Sequence, residues 1–161
     1  MIKYLLPLLA ALFVMPAAAQ KNKGKGILPR DSITDKFCYT DVGENANADK
    51  AALQEKLEKW IKQNYNTDEE HTTVAQDGDT WTIHDREALP QRARKFVAYD
   101  LTVDLKDGRY RYKLTNLMYT ATGTYPLEDK MATDKKSDLR EIDEILERVL
   151  GSLNAALQSE W

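Results

Sequence analysis

The sequence predicts an α+β fold: a two-layer sandwich of one five-stranded antiparallel sheet with two helices on one face. Three observations carry this. Residues 98–119 alternate apolar and polar on both sides of Asp107-Gly108, the pattern of a long hairpin. Two stretches, around Leu53 to Ile61 and Leu139 to Leu157, repeat their apolar residues at helical spacing. The elements follow in the order β-α-β-β-β-β-α, with the helices separated by all the remaining strands.

The chain of 161 residues opens with Lys3, an apolar run from Leu5 to Met15, and Ala17-Ala18-Ala19. This is the layout of a secretory signal, expected over residues 1–19. The apolar run is short for a bilayer span and carries Pro7 and Pro16, so cleavage is expected rather than anchoring. No cysteine follows it to take a lipid. The expected location is therefore the periplasm or the medium, with no transmembrane span after signal removal. Residues 20–34 hold Lys21, Lys23, Lys25 and Arg30 among glycines and read as a flexible basic linker. Residues 35–161 then form the single domain.

Phe37 to Val42 alternates and reads as a first strand. Asn45 and Asn47 offer N-caps for the first helix, with Asp49 in its first turn. Leu53, Leu57, Trp60 and Ile61 form its apolar stripe, and Tyr65-Asn66 ends it. Trp60 reads as core, being one aromatic on an aliphatic stripe. His71 to Ala75 and Thr80 to Arg86 read as a second hairpin around Asp77-Gly78. A two-residue loop there pairs Val74 with Trp81, Thr73 with Thr82 and His71 with His84. In the long hairpin the same rule pairs Leu105 with Tyr110, Val103 with Tyr112 and Leu101 with Leu114 on one face. Asp104 with Arg111, Thr102 with Lys113 and Asp100 with Thr115 fall on the other. Continued outward, the alternation places Ala98, Phe96, Leu117 and Tyr119 on that second, open face. Residues 123–134 read as a polar connection. The last helix has Ser137 as its expected N-cap, with Leu139, Ile142, Leu146, Val149, Leu153 and Ala156 as its stripe and Ile145, Leu150 and Leu157 widening it.

Charge and residue inventory limit the function. From Asp31 onward there are 18 basic and 26 acidic residues, a net charge of −8. So acidic a domain is a poor ligand for phosphate backbones, and nucleic acid is excluded as a partner. Cys38 is the only cysteine, which rules out an intrachain disulfide and reads as a buried thiol. None of the four serines from Ser32 onward sits in an activating context, and no glycine-rich phosphate loop is present. Catalytic residues and cofactors are therefore expected to be absent. One enzymatic alternative rests on His71 and His84: as a cross-strand pair near Glu69 they could hold a zinc ion with an open position for water, giving a metal-dependent hydrolase.

The run from Lys106 through Asp107, Gly108, Arg109, Tyr110 and Arg111 to Tyr112, with the Trp60 helix before it and the Leu153 helix after it, resembles an exported bacterial family. That family is called domain of unknown function 4468, with a TBP-like fold. The resemblance spans about residues 35–157. It implies the same element order and no activity. The TATA-box-binding protein itself uses the open face of such a sheet to bind DNA; here that face offers Asp100 and Asp104 beside Arg111 and Lys113, so the signs cancel. The expected function is a monomeric, non-catalytic binding module of the cell envelope. Its open face, with Asp100, Asp104, Arg111, Lys113, Phe96 and Tyr119, would contact an envelope protein, a peptide or a glycan.

Overall fold

The computed structural model describes residues 27–159 apart from 91 and 93; the expected signal segment lies outside these residues. Six strands and three helices follow in chain order: β1 (Tyr39–Glu44), α1 (Lys50–Asn64), β2 (Thr73–Asp77), β3 (Thr80–Ala88), β4 (Phe96–Lys106), β5 (Arg109–Thr120), β6 (Thr124–Pro126), α2 (Lys130–Thr133) and α3 (Lys136–Gln158). The sheet is antiparallel in the order β1-β5-β4-β3-β2. The sixth strand, β6, pairs with residues Met118 to Thr120 of β5. It takes over the same edge that β1 covers from Arg109 to Leu114. The connection expected to be merely polar thus supplies both β6 and the short α2.

One face of the sheet is buried under α1 and α3. Ile83, Val97, Tyr99, Leu101, Val103, Leu105, Tyr110, Tyr112 and Leu114 point into it, against Leu53, Leu57, Trp60 and Ile61 of α1. From α3 come Leu139, Ile142, Ile145, Leu146, Leu150, Leu153 and Leu157. Trp60 is core as expected; its indole N–H donates to Ser152 Oγ at 3.0 Å, joining the helices. Cys38 is buried too, and burial pushes its thiol pKa up.

The long hairpin has the expected register from Lys106 with Arg109 out to Asp100 with Thr115. Its turn differs in detail: Gly108 takes φ +71°, while Asp107 does not reach positive φ as a type I′ turn would require. Tertiary hydrogen bonds set the turn instead. Asp107 Oδ1 accepts from Lys50 N at 2.9 Å, and Gly108 N donates to Ala48 O at 2.9 Å. The same loop caps α1, where Asp49, not Asn45 or Asn47, accepts from Ala52 N at 2.8 Å. At the start of α3 the expected Ser137 cap is replaced by Lys135, which makes no side-chain cap bond.

Three further expectations are corrected. The second hairpin turns on Gly78-Asp79, with positive φ at its first central residue, so Val74 pairs with Ile83 and Thr73 with His84. Residues 27–34 are not a free linker: Leu28 is buried in the core, and Arg30 bridges to Phe37. Finally, β5 carries a bulge. Asp100 pairs with Thr115 but Ala98 pairs with Met118, so β5 has one residue more than β4 in this interval. Asn116 has φ +52°, a left-handed conformation that Asn tolerates better than most residues. The extra residue inverts the alternation, and Leu117 and Tyr119 are buried on the helix side rather than open.

Candidate functional site

The uncovered face of the sheet is polar, and its side chains are paired across strands. Asp104 is the centre of one group: its Oδ1 accepts from Thr80 Oγ1 at 2.6 Å, and its Oδ2 accepts from Arg111 Nη2 at 2.6 Å and Nε at 3.0 Å. The Thr80 bond, and then the Arg111 guanidinium, hold the Asp104 carboxyl below its ordinary pKa. Asp100 is the centre of a second group, with His84 Nδ1 at 2.6 Å from Oδ1 and Asn116 Nδ2 donating to Oδ2 at 3.0 Å. The bulge residue thus has a second role, orienting Asp100. Lys113 stands in the row between the two carboxylates, paired in register with Thr102, and is exposed. Toward the far end Phe96 is half-buried, with the Arg86 guanidinium 5.0 Å from its ring centre.

Five of the expected contact residues, Asp100, Asp104, Arg111, Lys113 and Phe96, therefore share this face. Tyr119 does not. It is buried on the opposite side, where its hydroxyl donates to Asp138 Oδ2 at 2.6 Å. Asp138 also accepts from Lys95 Nζ at 2.5 Å. Burial alone would push the Asp138 pKa up, but the bonds from Lys95 and Tyr119 bring it below the ordinary value. This buried ionic group was hidden in the sequence, where Asp138 reads only as an acidic residue suited to the first turn of the last helix.

The proposed histidine pair is not formed. His84 faces the open side and binds Asp100, whereas His71 precedes β2 and lies with Nε2 3.0 Å from Glu69 Oε2 and 3.7 Å from Asp85 Oδ1. Asp85 is buried on the helix-covered side, where Thr72 Oγ1 donates to it at 2.8 Å. The Gly78-Asp79 turn shifts the partner of His84 to Thr73 and leaves His71 outside the ladder. Among the described residues no group of three or more His, Cys, Asp or Glu side chains is arranged to hold a metal.

Beside the open face lies a cavity of about 840 Å³. It occupies the gap on the β5 edge between the start of β1 at Tyr39 and the end of β6 at Pro126, beside residues 115–117. The bulge forms one wall, and the turn from Arg30 to Phe37 forms the other. The signal for it was present in the spacing of β5: its inward apolar residues run 110, 112, 114 and then 117, 119, a slip of one position at Asn116.

Among the described residues no helix is long and apolar enough to cross a membrane. No curated protein matches the chain. Two crystal structures share its fold. A TBP-like protein from Parabacteroides distasonis ATCC 8503 superposes with a TM-score of 0.70 at 19% identity, over 84% of this chain and 100% of that one. A DUF4468 family protein from Bacteroides ovatus ATCC 8483 gives 0.65 at 16% identity, over 84% of this chain and 92% of that one. Residues 39–120, just over half of the sequence, match the family described as a domain of unknown function (DUF4468) with TBP-like fold, and the chain belongs to that family.

Proposed function

We propose that the protein is an exported, non-catalytic binding module of the cell envelope, and that the helix-free face of its sheet is the contact surface. The observation that supports this reading is the pairing of Asp104 with Thr80 and Arg111, and of Asp100 with His84 and Asn116, on a face that no helix covers. Exposed ion pairs contribute about 0–1 kcal/mol to stability, so folding alone gives little reason for such an array. Oriented charges on a bare face are suited to recognition of a polar partner, and Lys113 stays exposed among them. The partner is an envelope protein, a peptide or a glycan. Signal cleavage near Ala19 would deliver the protein to it.

The test is capture from an envelope extract by the immobilised mature protein. Reversing Arg111→Glu and Lys113→Glu together with Phe96→Ala is expected to abolish capture while the far-UV spectrum and thermal midpoint hold. Undiminished capture by the folded triple variant would remove the open face from the account. Fractionation of cells expressing the full chain tests export: an uncleaved product retained in the cytoplasm contradicts it.

A further inference from the structure

The cavity on the β5 edge is unassigned by anything above, and its chemistry is specific enough to name a ligand class. We propose that it binds a small monoanionic carboxylate with an apolar tail. Its volume of about 840 Å³ lies within the usual range of ligand sites, roughly 300–1,000 Å³. Three carboxylates border it, and each is already engaged. Asp31 accepts from the N–H groups of Ile33 and Thr34 and from the Thr34 hydroxyl. Asp35 pairs with Arg30 at 3.1 Å, and Glu128 Oε1 accepts from Phe37 N at 2.7 Å.

The ammonium groups of two bordering cations, Lys36 and Lys113, make no hydrogen bond or close ion pair among the described residues, and Lys113 acts on Asp31 only at longer range. The lining holds three cations and three carboxylates and is close to neutral, but the two ammonium groups can each donate a hydrogen bond to an incoming carboxylate. The three carboxylates in the same wall disfavour an anion of high charge, so a phosphate dianion or a nucleotide fits poorly. Met118 and Pro126, cross-strand partners, supply an apolar wall for a tail. Backbone strain falls at the same place: of the three non-glycine residues with positive φ among the described ones, Asp35 and Asn116 both line the cavity.

Such a carboxylate has two sources, an acyl chain or the C-terminus of an apolar peptide. Both are tested by amide NMR titration of the protein purified after export, using octanoate, octanol, acetate, N-acetyl-Leu-Leu with a free carboxylate, and the amide of that dipeptide. Saturable shifts at Lys36, Cys38, Lys113 and Met118 are expected with at least one of the two tailed carboxylates. Octanol, acetate and the dipeptide amide should bind at least tenfold more weakly than the better carboxylate. The preference between octanoate and the dipeptide acid identifies the source. Lys36→Gln should weaken binding about tenfold, whereas Arg111→Gln, which belongs to the open face and not to this cavity, should leave it unchanged. That contrast separates this site from the contact surface proposed above. The absence of saturable shifts with both carboxylates, equal binding of octanol, or unaltered affinity in a folded Lys36→Gln/Lys113→Gln variant would overturn the proposal.

Discussion

Leu101 and Thr102 are neighbours on β4, yet they belong to different environments. Leu101 is fully buried beneath the helices and pairs with Leu114; Thr102 lies half-exposed on the other face and pairs with Lys113. The contrast extends over the whole sheet. The covered face is aliphatic and aromatic, with few polar groups, and its buried carboxylates Asp85 and Asp138 are bonded on site. The open face holds Asp100, Asp104, Arg111 and Lys113, charges that do little for stability. The comparison teaches that the two faces weigh differently in the fold: one holds it together, and the other adds little to its stability.

The sharpest way to break this division is to delete Asn116. Removing the extra residue restores strict alternation in β5 and turns either Leu117 and Tyr119 or Tyr110, Tyr112 and Leu114 away from the core. A loss of more than about 4 kcal/mol, or of cooperative unfolding altogether, is expected in urea titrations.

Leu101→Ala should cost about 2–5 kcal/mol as a cavity in the core. Its neighbour Thr102→Ala should stay within about 0.5 kcal/mol, and paired urea curves check the difference.

Asp138→Ala leaves the buried Tyr119 hydroxyl without its acceptor and the partly exposed Lys95 without its partner, and should cost about 1–3 kcal/mol. The pH dependence has a definite sign. The folded-state pKa of Asp138 lies below its unfolded value, so its contribution is fully present above the unfolded pKa, about 3.9. It is lost as pH falls through the folded value. Denaturant midpoints measured between neutral and acid pH should therefore converge for wild type and Asp138→Ala at the acid end.

At the small end, Arg111→Ala removes an exposed pair with Asp104 and should cost less than about 1 kcal/mol, falling further at high salt. Its effect should be seen in partner capture instead of the melting curve.

Much of this arrangement was legible in the residues. The pairing of Leu101, Val103 and Leu105 with Leu114, Tyr112 and Tyr110 follows from an Asp-Gly reversal and a period of two, and both helical stripes follow from their spacing. What escaped had two local causes and one distant one. The Gly78-Asp79 turn and the earlier-expected Asp77-Gly78 turn both use a glycine at positive φ, and they differ in whether Gly78 is first or second in the loop. That one-position difference separated His71 from His84. Tyr119 was misplaced because alternation was continued through Asn116, although β4 keeps its inward residues Val97, Tyr99, Leu101, Val103 and Leu105 in unbroken phase. An unbroken strand beside one whose phase slips requires a bulge, and that inference was available from the sequence. The burial of Asp138 was not: it depends on Lys95 arriving from the chain before β4 and Tyr119 from β5.

The inversion at Asn116 decides which side chains the open face offers, and hydroxyl-radical footprinting reads it directly. Met118 and Tyr119 are adjacent, both are reactive, and they point to opposite sides of the sheet. The account predicts rapid oxidation of Met118 with Tyr119 protected until the protein unfolds. Rapid modification of Tyr119 with Met118 protected in the native protein would contradict it.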